Sequence, residues 1–262
     1  MFEAKNPAVQ FASLGSGSKG NATLVRCGDT LLMIDCGFSL RETVRRMARL
    51  RVEPRQIDAI LVTHEHSDHC SGVAALSRNY QIPVYLTHGT FSTGRCDGIH
   101  AQRLFNCEDT LVIGNLSVKA VTVPHDAVEP CQYRISNGEH ALGILTDLGS
   151  ITPHVIDSFR DCHSLLLEFN HDLAMLLDGP YPPQLKRRVG GDWGHLNNEQ
   201  AAELLRQIGG ERLRHLVVAH ISEKNNSRAL AERALRSVLD TLDRVIFAEQ
   251  SGGFDWLDLG GA

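Results

Sequence analysis

Four residues of metal-ligand type, His64, His66, Asp68 and His69, fall within six consecutive positions of the segment HEHSDH. Imidazole nitrogens and carboxylate oxygens are donors suited to Zn²⁺, Mn²⁺ or Fe. Successive side chains of an extended loop diverge, so one ion does not readily take all four. Two ions do: His64 and His66 serve one, Asp68 and His69 the other. The bland alternative is a solvated turn rich in histidine and aspartate. An H-x-H-x-D-H run directly after the apolar stretch IDAILVT argues against it. A binuclear site needs further ligands, and three polar residues end apolar runs downstream. His125 follows LSVKAVTVP, Asp147 follows ALGILT and His220 follows HLVVA. A single histidine in such a place is usually structural. Three such residues after the first cluster read as ligands delivered by strand ends.

The elements that must position them follow from hydrophobic periodicity. Val9–Leu14, Thr23–Cys27 and Leu31–Asp35 read as strands, and Ser39 to about Leu50 as a helix with Ser39 and Glu42 in a capping box. Ile57–Thr63 is a buried strand, Gly72–Tyr80 a helix and Pro83–Thr87 a strand. Leu104 to Thr146 is β-rich, with NGEH after Tyr133–Ser136 as a hairpin turn. Helices near Thr152–Phe159, Asn197–Ile208 and Ser227–Leu239 then alternate with strands Ser164–Phe169, Leu213–Ala219 and Arg244–Ala248. This order predicts an α/β protein of two packed sheets with helices outside, and binding loops at strand ends. No linker or low-complexity stretch divides the 262 residues, which read as one domain.

Composition narrows the function. Hydrophobic residues make up 42% and charged residues 22%, enough apolar material for a core. No run of 18 apolar residues offers a membrane span. Met1 to Pro7 holds Glu3 and Lys5 and no apolar core of a secretory leader. The net charge of −5 excludes a globally basic nucleic-acid binder but not a local basic patch. Seven cysteines without a C-x-x-C pair read as reduced thiols of a cytoplasmic protein. Thirteen histidines are the anomaly that calls for a site.

Around the ligand candidates lie residues suited to substrate. His195 precedes a helix start at Asn197 and reads as a phosphate contact or as proton donor to a leaving oxygen. His171 opens the apolar stretch HDLAMLLDG and is a candidate substrate contact. The small-residue loop containing Ser16 and Ser18 lets backbone N–H groups approach an anion closely. Lys186, Arg187 and Arg188 form the one dense basic triplet, a candidate phosphate track. Arg41, Arg45 and Arg49 share a helix face and are either plain surface or a second track.

The H-x-H-x-D-H cluster followed by His125, Asp147 and His220 resembles the ligand set of metallo-β-lactamase-fold metallohydrolases. The resemblance implies a four-layer αββα sandwich. It implies one metal on His64, His66 and His125, a second on Asp68, His69 and His220, and Asp147 bridging both. Finer segments, SLGSGSKGNA, THEHSDH, NHD, YPPQLKRR, GHLNN and AHISEKNN, are similar to the YycJ/WalJ group from about Phe11 to Asn226. That group implies a 5′→3′ exonuclease acting on DNA in preference to RNA, in DNA repair. GHLNN is also similar to the catalytic histidine motif of tRNase Z enzymes, in which a carboxylate matching Glu168 pairs with the histidine matching His195. Asn197, in the same motif, joins the substrate candidates. The Asp147–His220 interval is too short for a β-CASP insertion.

The mechanism expected is two-metal phosphodiester hydrolysis with two divalent ions, zinc or manganese. A hydroxide held between them beside Asp147 attacks phosphorus, and His195 or a metal-bound water protonates the departing oxygen. Asp68 belongs to the catalytic set as a ligand of the second ion. A small-molecule phosphodiesterase and a thioester or lactone hydrolase of the same fold are the alternatives. A binding module with a degenerate site would lack one or more of these ligands.

Overall fold

The computed structural model describes residues 7–260, so the reading made of the N-terminal leader region lies, Pro7 apart, outside the described residues. Fourteen strands are present among them: β1 (Val9–Gly15), β2 (Ala22–Cys27), β3 (Thr30–Ile34), β4 (Ala59–Leu61), β5 (Pro83–Thr87), β6 (Ala101–Phe105), β7 (Thr110–Ile113), β8 (Leu116–Thr122), β9 (Cys131–Ser136), β10 (Ala141–Leu145), β11 (Ser164–Glu168), β12 (His215–Ala219), β13 (Val245–Phe247) and β14 (Phe254–Asp258). They form two seven-stranded sheets, ordered β14-β1-β2-β3-β4-β5-β6 and β13-β12-β11-β10-β9-β8-β7. Each sheet is mixed: β3 to β6 run parallel in the first, and β10 to β13 in the second. The helices are α1 (Leu40–Arg49), α2 (Ser67–Cys70), α3 (Val73–Tyr80), α4 (His88–Ser92), α5 (Pro153–Phe159), α6 (Leu173–Asp178), α7 (Pro183–Val189), α8 (Asn198–Gln207) and α9 (Arg228–Leu235).

Alternation along single strands builds four layers. In β3, Leu32 and Ile34 join the core between the sheets, with Val118, Tyr133, Ile144 and Val217. Leu31 and Met33 join the outer core with Met47 of α1 and Leu76 of α3. In β11, Leu166 faces inward, whereas Leu165 and Leu167 pack with Phe159, Leu204 and Leu235 from α5, α8 and α9. Such strands are covered on both faces, which is why they read as unbroken apolar runs. The αββα expectation is met.

The differences from expectation have local causes. β4 spans three residues because its continuation leaves the sheet ladder. Val62 O accepts from Tyr133 Oη at 2.7 Å, and Thr63 O from Cys131 N at 3.0 Å, both in the opposite sheet. Ser39 caps α1 by accepting from Glu42 N at 3.4 Å. Glu42 does not complete the capping box, because Arg45 and Arg46 hold its carboxylate at 2.6 Å each. α9 ends at Leu235, and the chain goes on to Leu239 in turns. The basic triplet lies on α7, which the sequence pattern does not reveal. Nor does it reveal β14, which pairs antiparallel with β1.

Candidate metal centre

The ends of strands from both sheets meet in one cleft of about 510 Å³, lined among others by His66, Asp68, Asp147, Arg188, His195 and His220. His64 leaves β4, His125 follows β8, Asp147 follows β10, and His220 follows β12 with φ 48°. His66 is the N-cap of α2, and the first turn of that helix carries Asp68. The donor atoms of His64, His66 and His125 lie within 4.8 Å of one another. So do those of Asp68, His69 and His220, and those of His64, His69 and Asp147. Asp147 therefore belongs with both halves: its Oδ2 is 3.0 Å from His69 Nε2 and 3.3 Å from His220 Nδ1, and its Oδ1 is 3.9 Å from His125 Nε2.

The donor set fits metal ions on two observations. First, His66 Nδ1 lies 3.0 Å from His64 Nε2 and 3.2 Å from His125 Nε2. Three ring nitrogens converge, and one proton satisfies only one pair of them, whereas a cation accepts all three lone pairs. Second, the far nitrogens are already engaged. His125 Nδ1 donates to Gly194 O at 3.0 Å, and His220 Nδ1 to Thr146 O at 2.9 Å. A carbonyl only accepts, so Nδ1 carries a proton, and it is Nε2 of each ring that is left to serve a cation. His69 Nδ1 is held by Asp35 Oδ2 at 2.7 Å, an orientation typical of ligand histidines.

Burial and charge divide the cluster. Burial drives His64 well below the usual histidine range and His125 down to about 4, the Asp147 charge notwithstanding. Burial opposes charge on His69 and His220 too, yet Asp147 and its fellow carboxylates outweigh it. His69 stands well above the usual range, and His220 is raised to about 9. Burial would raise Asp147, but the His220 and His69 charges hold it well below the usual carboxylate range.

Beside this cluster stands a second pair. Glu168, the last residue of β11, is buried, and its Oε2 lies 3.0 Å from His195 Nδ1. Its Oε1 accepts from Leu148 N and, at 3.4 Å, from Leu196 N. Burial, reinforced by Asp147, pushes Glu168 well above its usual range, and burial pushes His195 down to about 4. Both groups are thus biased towards neutrality, and the contact orients the ring with Nε2 left for the cleft. Asp147, His195 and His220 are also mutually within 4.8 Å, a further trio of metal-binding type.

The remaining candidates separate. Ser18 and Arg188 line the cleft. Arg188 Nε donates to Asp126, whose carboxylate is 3.5 Å from His125 Nε2. Lys186 donates to Leu177 O, and Arg187 is exposed on α7. Ser16 is buried: its Oγ donates to Asn21 Oδ1 at 3.2 Å and accepts from His220 N at 2.9 Å, tying the glycine loop to a ligand. Asn197 caps α8 by accepting from Gln200 N at 2.8 Å, in a capping box with Gln200. His171 is 1% exposed and is not among the residues lining the cleft. Two of the three arginines on the α1 face are held by protein groups: Arg45 by Glu42, and Arg49 by Asp255 and Ser13 O.

Sequence reasoning missed Asp35, Thr63, Asn21 and Asp126. Asp35 accepts from Thr63 N and Thr63 Oγ1, at 2.8 Å each, as well as holding His69. It ends the apolar run LLMI, the same cue that singled out Asp147. Asn21 Nδ2 reaches His69 Nε2 at 3.1 Å and Asp68 Oδ2 at 3.4 Å from a loop that carries no such cue.

Residues 30–221 match the family model of the β-lactamase superfamily domain. The exodeoxyribonuclease YycJ of Bacillus anthracis is 33% identical over 236 residues, covering 88% of this chain and 89% of that protein. The exodeoxyribonuclease WalJ of Streptococcus pneumoniae serotype 2 is 32% identical over 241 residues, covering 89% of each. The crystal structure of the metallo-β-lactamase fold protein YhfI from Bacillus subtilis superposes with a TM-score of 0.75 at 19% identity, over 96% of this chain and 99% of that one. The chain belongs to the β-lactamase superfamily, as a metal-dependent hydrolase of the metallo-β-lactamase fold similar to the YycJ/WalJ group.

Proposed function

We propose that the chain is a cytoplasmic DNA exonuclease of 5′→3′ polarity, serving DNA repair. It would work as a single domain over residues 1–262 without a β-CASP insertion. The observation that carries the hydrolytic part is the convergence of His64, His66, Asp68, His69, His125, Asp147 and His220 at one cleft floor. The substrate is supported by the names of the two relatives that match nearly the whole chain. The cleft is lined by polar and charged side chains, including Arg95 and Arg188, which favours a phosphodiester over an apolar thioester or lactone.

His64, His66 and His125 would hold one divalent ion, Asp68, His69 and His220 a second, with Asp147 between them. Zinc or manganese suits these donors. When bound, such ions supply Lewis-acid charge against the phosphoryl oxygens and acidify water. The chain's own residues do the rest. Asp147 carries negative charge beside both trios. Arg188 and Ser18 bind phosphate oxygens at the rim. His195 would hand a proton from Nε2 to the departing sugar oxygen while Nδ1 takes one from Glu168, which burial biases towards its protonated form.

The test is digestion of 5′-phosphorylated and 5′-hydroxyl DNA, single-stranded and duplex, and of RNA, by protein loaded with zinc or manganese. Mononucleotides released progressively from 5′ ends of DNA support the proposal. Hydrolysis of RNA alone, or of small diesters without any polymer, overturns the substrate assignment.

A further inference from the structure

Trp193 is 64% exposed beside the cleft, the one aromatic among the large apolar side chains exposed in the described residues. The chain's other tryptophan is engaged: Trp256 Nε1 donates to Leu50 O at 3.3 Å, and Arg26 stacks 4.3 Å from its ring centroid. No hydrogen bond or ring contact of the Trp193 indole occurs among the described residues.

The turn that carries it, by contrast, is held on its C-terminal side. Gly194 N donates to Gly191 O and His195 N to Val189 O, both at 2.8 Å. Gly194 O accepts from the ligand candidate His125. The turn also lies against Gly149 so closely that a Cβ there would meet Asp192 O at 2.3 Å and Trp193 Cα at 2.6 Å. A large indole is thus presented to solvent from a fixed turn. Its Cα is at most roughly 7 Å along the chain from that of His195, whose ring is 3.5 Å from Asp147. Beside the carboxylates Glu65, Asp68, Asp126 and Asp147, the cleft offers the cationic and aromatic parts of a groove for a single strand. Arg188, Arg95 and Tyr181 line the cleft, and the Lys224 ammonium lies 5.7 Å from the Tyr181 ring centroid. Cations that track a phosphate chain, next to an aromatic face on which a base stacks, are the recurrent arrangement for unpaired nucleic acid.

We propose that Trp193 is a stacking platform for the base of the nucleotide next to the cleaved bond, so that the strand end is taken unpaired. This rests on the nuclease function proposed above. An indole face accepts any base, so the contact adds affinity without sequence preference.

The test compares kcat/KM of the metal-loaded protein on two single strands. One is ordinary, and the other has an abasic residue at the nucleotide to be released. Wild type should prefer the ordinary strand by roughly 5- to 150-fold, the equivalent of one stacked base. Trp193→Ala should erase that preference, and Trp193→Phe should keep most of it. Unchanged melting temperatures establish that both variants fold. An oligothymidylate should quench indole fluorescence in wild type but not in Trp193→Phe, where Trp256 alone remains. A preference that survives in Trp193→Ala, while wild type digests DNA, overturns the stacking role alone and leaves Trp193 to a partner of another kind. Failure of wild type to digest either strand overturns the nuclease function and the stacking role together.

Discussion

Replacing Asp35 by Asn should weaken metal binding at one half of the centre and leave the other half intact. Asp35 touches no cleft, yet its carboxylate holds His69 Nδ1 at 2.7 Å. With Nδ1 protonated, Nε2 presents a lone pair to the cluster. The amide of Asn has the same shape, and Thr63 N at 2.8 Å retains an acceptor in its oxygen. The –NH₂ then confronts His69. The ring must take up the other tautomer to accept from it, which puts the proton on Nε2, where the ion belongs. Loss of such an orienting partner typically costs 10–100-fold in metal affinity, or about 1.4–2.7 kcal/mol. Asp35→Ala should cost more and in a different quantity. It strands Thr63 N–H in a buried place, at about 1–3 kcal/mol, and leaves the His69 ring N–H only the longer contact with Thr63 Oγ1 at 3.4 Å. The Thr63 hydroxyl escapes, because His64 Nδ1 lies 3.0 Å away as a second partner. Folding stability in chelator should therefore fall by about 1–3 kcal/mol. The assay is zinc titration against a chromophoric chelator, which resolves the two binding steps, together with denaturant unfolding of chelated protein. Binding of both ions within twofold of wild type in Asp35→Asn would refute the coupling through His69.

The proposed centre makes further demands. Metal analysis after saturation should find two equivalents, and Asp68→Ala should lose one of them along with nuclease activity while the fold survives. His195→Ala should lower kcat by about 10²–10⁴-fold with metal content unchanged, and a diester with a good leaving group should recover most of the loss. Loss of metal would instead make His195 a ligand with Asp147 and His220. Arg188→Ala alone should flatten the salt dependence of DNA binding by about 0.7–0.9 in log–log slope, whereas Lys186→Ala should not, its ammonium being turned to Leu177 O. Gly37→Ala should destabilise the fold by about 1–3 kcal/mol and impair metal binding, because its Cβ would lie 1.8 Å from Asp68 O and 2.8 Å from Asn21 N.

The ligand candidates were legible because strand ends and apolar periodicity make them so. A histidine or aspartate that closes a run such as HLVVA or ALGILT leaves a buried sheet at its edge, where a polar group is costly unless it is used. The central strands are covered on both faces, so they read as apolar blocks and their alternation with helices could be foreseen, whereas the exposed edge strands β6, β7 and β14 carry no such block. The groups that aim the ligands could not be foreseen. Gly194 O and Thr146 O are backbone atoms, and any residue type carries them. Caps and loop residues mislead in the opposite sense: Asn197 and Ser16 are polar residues in suggestive motifs, yet both spend their side chains on the chain itself. Charge runs are equally ambiguous, and α7 turns three adjacent basic residues to three different surroundings.

The segment GDWGH shows how closely these layers are joined. Gly194 is glycine because a Cβ would meet Arg188 O and Val189 O at 2.2 Å each. Packed so tightly, its carbonyl is fixed where His125 Nδ1 donates to it. The next residue, His195, is fixed by its own N–H to Val189 O and by Glu168 on its ring. The residue before, Trp193, is fixed by the contact with Gly149. One turn thus orients a metal-ligand candidate, a proton-donor candidate and an exposed aromatic face. A substitution that loosens the turn should therefore disturb metal affinity, leaving-group dependence and strand binding together. Substitution of His125, His195 or Trp193 singly should disturb mainly one of the three.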